Sequence, residues 1–170
     1  MKSIRKGYLK KNKKVINATI CSSNGITFKS KLEMNTYTIL KELGFNPLYE
    51  FKTFELYKEF VPKIPFYSKE TACQHKKRVK KDGNKNLLLS LKDTKVQGIH
   101  YTPDFYFKYK NLDVYMETKG IPNETYYLRK KLFRKYLNDK FIKTGQKSIF
   151  FEITSLAQLR QAAEIIKNFK

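Results

Sequence analysis

Apolar residues recur at helical spacing in three segments of the chain. The clearest segment begins at Ser30, a favourable N-cap, and ends before Gly44, a favourable stop, with four leucine or isoleucine residues between them. A second helix is predicted from Asn123 to about Phe141, with its apolar residues on one stripe. An amphipathic final helix is predicted over Ser155–Phe169.

Alternating and continuous apolar runs predict the strands of a sheet. Residues 47–56 alternate in polarity and are predicted to form one strand. Tyr101–Lys108 and Leu112–Thr118 are separated by a short turn, so we expect a hairpin. Lys147–Ile153 is predicted to be a buried strand between two helices. This order predicts an α/β fold in which a mixed central β-sheet is flanked by helices.

One stretch interrupts the regular order of elements. Residues 58–98 contain two prolines and a dense group of basic residues, so we interpret them as a basic insertion in the core fold. Within it, residues 70–81 favour a basic helix and residues 86–91 a short strand. Residues 1–14 carry seven basic residues and no acid, which indicates a basic mobile arm. The remainder, residues 15–170, is predicted to be a single domain.

The charge of the chain limits the kinds of partner that it can have. Lysine and arginine number 36 against 15 acids, for a net charge of +21, and the favoured partner is therefore nucleic acid. An anionic membrane surface is the alternative, although no apolar run approaches the roughly 18 residues that span a bilayer. Without an apolar signal segment, we expect a cytoplasmic protein. The two cysteines lack metal-ligand spacing, and the absence of a P-loop pattern predicts no nucleotide cofactor.

Three charged residues stand out on the predicted hairpin. Asp104 lies on the first strand, and Glu117 and Lys119 share one face of the second because residues two apart on a strand point the same way. Two carboxylates among apolar strand residues need a compensating charge in so basic a protein. Carboxylate oxygens are ligands that Mg²⁺ prefers, so we expect a divalent cation between Asp104 and Glu117. Such an ion would activate a water for phosphodiester hydrolysis.

These residues fall within a recognisable order of motifs. Thr102-Pro103-Asp104 followed by Glu117-Thr118-Lys119 resembles the PD-(D/E)XK nuclease superfamily. The chain is most similar to a small phage-encoded endonuclease branch that resembles Holliday-junction resolvases. In that branch a helix like the one containing residues 28–37 comes first, and a helix like the one containing residues 127–133 comes last. All four blocks occur here in that order.

The resemblance implies a role for each motif residue in a restriction-endonuclease-like core. Asp104 and Glu117 would be metal ligands together with the Thr118 carbonyl, and Lys119 would be the catalytic lysine. Glu33 would complete the acidic cluster of catalytic and metal-binding residues. The cofactor would be Mg²⁺ or Mn²⁺. Two further residues are candidates for accessory positions near the site, namely Glu50 and Tyr101.

The resemblance also implies a function. It is that of a metal-dependent endodeoxyribonuclease in phage DNA metabolism, acting in an infected bacterial host. Branched DNA such as a four-way junction is the expected substrate, and a homodimer would suit symmetric nicking of two strands. The DNA-binding surface is expected on the insertion and on the helix after the Glu117 strand. Its candidate residues are Lys76, Lys77, Arg78, Lys80, Lys81, Arg129, Lys130, Lys131 and Arg134.

Simpler interpretations of the same residues remain open. Ser30 and Glu33 fit a capping box, and a carboxylate folded back on the helix start is not free to bind metal. Glu117 and Lys119 would also fit an ordinary ion pair, and the basic helices would fit solvated faces. The protein would then be a non-catalytic nucleic-acid-binding protein. A third alternative is a nuclease subunit that is active only within a larger replication or packaging assembly.

Overall fold

The structure is a computed structural model that describes residues 19–92, 95–120 and 122–169. The predicted arm at residues 1–14 lies outside the described residues. The strands and helices follow in chain order: β1 Cys21–Ser23, β2 Ile26–Phe28, α1 Lys31–Glu42, β3 Leu48–Tyr49, β4 Phe54–Tyr57, β5 Tyr67–Lys69, α2 Ala72–Asp82, β6 Leu89–Leu91, β7 Ile99–Tyr101, β8 Phe105–Tyr109, β9 Leu112–Thr118, α3 Glu124–Thr144, β10 Ser148–Ile153 and α4 Leu156–Lys167.

The central sheet has four strands in the order β10-β9-β8-β3. Strands β8 and β9 form the predicted antiparallel hairpin, and β3 adds to β8 in the antiparallel sense. Strand β10 lies parallel to β9, which requires the chain to cross over through α3. The predicted fold class, a mixed sheet flanked by helices, is therefore confirmed.

The two faces of the sheet are covered by different helices. On one face, Val114 and Met116 of β9 are fully buried in a core that includes residues of α1 and α4. On the other face, Tyr115 packs edge-to-face against Phe133 of α3, at 5.4 Å between ring centroids. The alternation along β9 decides this division, because successive side chains point to opposite sides of the sheet.

The three core helices begin where their capping residues predict. The side chains of Ser30, Asn123 and Ser155 each accept a hydrogen bond from a backbone amide in the first turn of α1, α3 and α4. Helix α3 continues beyond the predicted end to Thr144. It ends at Gly145, whose φ of 68° is left-handed and costs glycine nothing.

The continuous strand predicted over residues 47–56 is wrong, because the chain bends sharply at Glu50. Glu50 has a φ of 44°, a left-handed conformation that is rare for a residue with a side chain. The bend leaves β3 in the central sheet and sends β4 to pair with β7. Strand β7 is likewise separated from β8, at Pro103, so the predicted strand 101–108 is also two strands.

The insertion forms a small unit of its own. Strands β5 and β6 pair as an antiparallel ribbon, and the predicted basic helix appears as α2. Glu70 holds the unit together, since its carboxylate accepts bonds from the Arg78 guanidinium and the Leu88 amide and contacts the His75 ring. Many apolar side chains of the insertion are nevertheless exposed, Ile64 and Leu89 among them.

A membrane-crossing helix is not found in the part of the chain that the structure describes. The longest helix, α3, carries charged residues along its whole length.

Candidate active site

The register of the β8–β9 hairpin brings the two predicted metal ligands together. Phe105 pairs with Met116, so the next position outward places Asp104 opposite Glu117. Residues directly opposite on antiparallel strands have Cβ atoms about 5 Å apart and point to the same side of the sheet. Both residues line one cavity of about 530 Å³ on the α3 face.

Glu117 is buried and makes a hydrogen bond through each carboxylate oxygen. The Tyr101 hydroxyl donates to Oε2 at 2.6 Å, and the Lys119 ammonium donates to Oε1 at 2.6 Å. The same ammonium lies 4.8 Å from the centroid of the Tyr126 ring, within cation–π range. Burial and the charge of Glu117 raise the pKa of the Tyr101 hydroxyl, which therefore stays protonated and donating. These contacts hold Lys119 at the edge of the cavity.

Asp104 differs from Glu117 because none of the described lysine, arginine or histidine side chains forms an ion pair with it. The Thr118 amide and hydroxyl donate to its Oδ2 at 2.7 and 2.6 Å. Burial and the nearby charge of Glu117 nevertheless raise the pKa of Asp104 to about 7, because they outweigh the two hydrogen bonds. Near pH 7, therefore, the Asp104 carboxyl either carries a proton or adds a negative charge next to Glu117 that is only partly compensated.

Glu33 lies in the wall of the same cavity, but its carboxylate is already engaged. Its Oε2 accepts from the Lys29 amide at 2.9 Å and from the Tyr49 hydroxyl at 2.5 Å, and its Oε1 accepts from the Ser30 hydroxyl. This arrangement stabilises the start of α1, although the carboxylate accepts from the Lys29 amide and the Ser30 hydroxyl and not from the Ser30 amide of a capping box. Glu33 is thus at the site and holds its neighbours in place.

Glu50 also lines the cavity, and the unusual backbone at this residue places it there. Its amide donates to the Asp104 carbonyl at 2.8 Å, which ties the bend to the start of β8. Its carboxylate pairs with the Lys29 ammonium. A strained conformation that brings a charged side chain to a cavity is common at functional sites, where the surrounding structure holds it.

The donor set fits a divalent ion that keeps most of its water. Within residues 19–92, 95–120 and 122–169, no three His, Cys, Asp or Glu side chains are grouped to hold a metal by themselves. Mg²⁺ is commonly held by one or two carboxylates with waters and substrate phosphates completing its shell. Asp104 and Glu117 supply two carboxylates, and the raised pKa of Asp104 indicates a position that gains from a cation.

The predicted DNA-binding residues differ in their contacts and in their exposure. Arg129 lines the cavity, whereas Arg134 lies further along α3, and Lys130 pairs with Glu152 at 2.7 Å. Lys131 of α3 is exposed, and Arg78 of α2 differs from it because the Arg78 guanidinium is bound to Glu70 inside the insertion. The other four candidates on α2 are exposed lysines, namely Lys76, Lys77, Lys80 and Lys81.

Several residues at the site had no assigned role in the sequence analysis. Lys29 and His100 line the cavity, and Glu152 lies beside Glu117 in the parallel register of β9 and β10. A signal for Glu152 is visible in the sequence, since it is the one charged residue in a strand that is otherwise apolar after Ser148. Lys29 lies between β2 and α1 and His100 lies in β7, so no spacing in the sequence relates them to Glu117.

Comparisons of this chain with family models, curated proteins and solved structures found no match.

Proposed function

We propose that the protein is a nuclease that hydrolyses phosphodiester bonds of DNA with a bound Mg²⁺ or Mn²⁺ ion. The observation that carries this proposal is the pair Asp104 and Glu117 in one cavity with Lys119 on Glu117. Two acids and an ammonium around a space that admits a phosphate are the groups that metal-assisted hydrolysis needs. The order of motifs that resembles the PD-(D/E)XK nucleases supports the same function.

Each residue has a distinct part in the proposed reaction. Asp104, Glu117 and the Thr118 carbonyl would hold the ion, which supplies a bound water of lowered pKa and offsets phosphate charge. The Lys119 ammonium neutralises charge that develops on the phosphate oxygens. Tyr101 orients the Glu117 carboxylate through its hydroxyl. Arg129 at the cavity edge binds a neighbouring phosphate.

The test is a cleavage assay with paired variants. Glu117→Gln and Asp104→Asn should each reduce cleavage by on the order of 100-fold or more while DNA binding is kept. Asp113→Asn is the matched control, because Asp113 is a buried acid on the same face of β9 that pairs with Lys140 instead. The substrates are a four-way junction, a duplex and a single strand, each with Mg²⁺, Mn²⁺ or EDTA.

If Glu117→Gln and Asp113→Asn cleave DNA equally well, the proposed active site is wrong. Failure of the unaltered protein to cut any substrate in either metal would reject the proposal. That result would favour a non-catalytic nucleic-acid-binding protein. One observation favours this second function, namely that the Glu33 carboxylate is committed to bonds with Lys29, Ser30 and Tyr49.

A further inference from the structure

A second groove lies beside the catalytic cavity, between α3 and β10. Its volume is about 750 Å³. Helix α3 contributes Lys130, Arg134 and Phe141, which lie on one face because they are spaced by four and seven residues. Strand β10 forms the opposite wall, and among the described strands it pairs with β9 alone. The groove therefore follows an open edge of the sheet.

The lining of this groove combines positive charge with exposed aromatic rings. Arg134 is an exposed cation, and Phe141 and Phe169 are 49% and 40% exposed. Glu152 is the one acid in the lining, and the Lys130 ammonium offsets its charge at 2.7 Å. Exposed aromatic rings next to cations are typical of sites for single-stranded nucleic acid, because the bases stack on the rings and the phosphates contact the cations.

The groove and the catalytic cavity meet at a shared wall. Tyr126 lines the cavity and donates its hydroxyl to Oε2 of Glu152 at 2.6 Å, and Glu152 lines the groove. Arg129 of the cavity is next to Lys130 of the groove on α3. The cavity and the groove therefore lie side by side along α3, so one strand can contact both. From Arg129 to Phe141 the helix extends about 18 Å, which accommodates several nucleotides.

We propose that this groove binds an unpaired DNA strand that continues from the phosphate in the catalytic cavity. The proposal rests on the proposed function and adds the substrate class, which is DNA with a single-stranded arm next to the cleavage point. In a duplex the bases stack on each other, so they cannot reach Phe141 or Phe169. A protein strand added to the edge of β10 is the competing occupant, but the cations of the groove favour a polyanion.

Binding measurements in EDTA test this proposal separately from cleavage. Fluorescence anisotropy would compare a blunt duplex with the same duplex carrying a short single-stranded arm. Arg134→Ala and Phe141→Ala should each weaken binding of the armed duplex by about tenfold, and binding of the blunt duplex by less than about twofold. The controls are Lys135→Ala and Ile142→Ala, since these residues are next in sequence, strongly exposed and outside the groove.

The possible results distinguish a DNA strand from a second copy of the protein in the groove, and they test the groove separately from the proposed nuclease function. If the two groove variants bind like the two controls, or lose blunt and armed duplex equally, the groove is not a strand-binding site. If Phe141→Ala instead abolishes a dimer seen by sedimentation while binding of the arm is unchanged, a second copy occupies the groove. Selective loss of the armed duplex supports the groove even if the protein cuts no DNA, which would reject only the proposed nuclease function.

Discussion

At the scale of single residues, the feature with the largest consequence is the proton on Asp104. Its pKa of about 7 in the folded protein lies well above the ordinary value of about 4 for an aspartate. The folded protein therefore keeps a proton that the unfolded chain loses between those two pH values. The free energy of unfolding falls as the pH rises through this interval, and the loss is complete above about pH 7.

The first prediction follows from this linkage. Without metal, the unaltered protein should lose stability between about pH 4 and 7, and Asp104→Asn should remove that loss because asparagine carries no charge. At pH 8 the variant should be more stable by roughly 1–3 kcal/mol. Urea unfolding at several pH values measures this difference. Mg²⁺ should stabilise the unaltered protein more at pH 8 than at pH 5.

Superimposable stability curves for the two proteins across this pH range would contradict the proposed role of Asp104. A control is Asp139→Asn, because Asp139 is an exposed partner of Lys135 on α3. Hydrogen bonding to Lys135 lowers the pKa of Asp139, so its stabilising effect is present at neutral pH and lost in acid. Its variant should therefore keep the loss of stability near pH 7.

The site residues that could be predicted from the sequence are those that lie on the β8–β9 hairpin or next to it. Asp104 and Glu117 are found in one cavity because alternation along a hairpin determines which side chains share a face. For Glu33, the sequence alone did not decide between a metal-binding role and a helix-capping role. The bond of Glu33 to the Lys29 amide is local, whereas its bond to the Tyr49 hydroxyl is a contact distant in sequence that no local pattern signals.

At the scale of elements, the starts of helices were the best predicted and the bends in strands the worst. A helix N-cap depends on one side chain and one nearby backbone amide. Ser30 and Asn123 therefore mark the starts of α1 and α3 correctly. The bend at Glu50 is different, because the alternation of polarity continues through it. Contacts distant in sequence hold it, such as the bond from the Glu50 amide to the Asp104 carbonyl.

The second prediction separates Arg78 from the lysines of α2. Arg78→Ala should loosen the insertion, because the bonds of Arg78 to Glu70 and to the Asn86 carbonyl organise it. Hydrogen exchange across residues 67–91 should then rise while exchange in the central sheet stays constant. Glu70→Gln should have a smaller effect in the same direction, since the neutral side chain still accepts hydrogen bonds.

Replacing the four exposed α2 lysines with alanine should leave hydrogen exchange unchanged. If these lysines contact phosphates, the slope of log K against log salt should become shallower by up to about 0.9 for each lysine. An unchanged slope would show that this helix does not face DNA. The four are Lys76, Lys77, Lys80 and Lys81.

At the scale of the whole molecule, the insertion is a side unit with a single attachment. Strands β4 and β7 pair with each other, and a bridge between Phe60 and Val96 continues the pairing outward. Among the described residues, none of the buried hydrophobic side chains comes from residues 58–98. The two cores are therefore complete without the insertion.

The third prediction is that the insertion can be removed. Joining Tyr57 to Ile99 through Asn-Gly should give a hairpin, because these residues are already paired across the antiparallel strands. The shortened protein should fold with a melting temperature within about 5 °C of the full chain. Its stability should keep the pH dependence that Asp104 causes. Loss of cooperative unfolding would show that the insertion is part of the core.

The narrow junction at Gly98 restricts how such a unit can be joined to the rest. A Cβ at this position would lie 2.9 Å from the Tyr57 carbonyl oxygen, which is closer than carbon and oxygen approach without a shift of backbone. Because both ends of the insertion leave from these two neighbouring strands, its length can change without altering the strands themselves. A side chain at Gly98 therefore requires the backbone of the junction to move, so substitutions in the insertion are accommodated beyond this glycine and not at it.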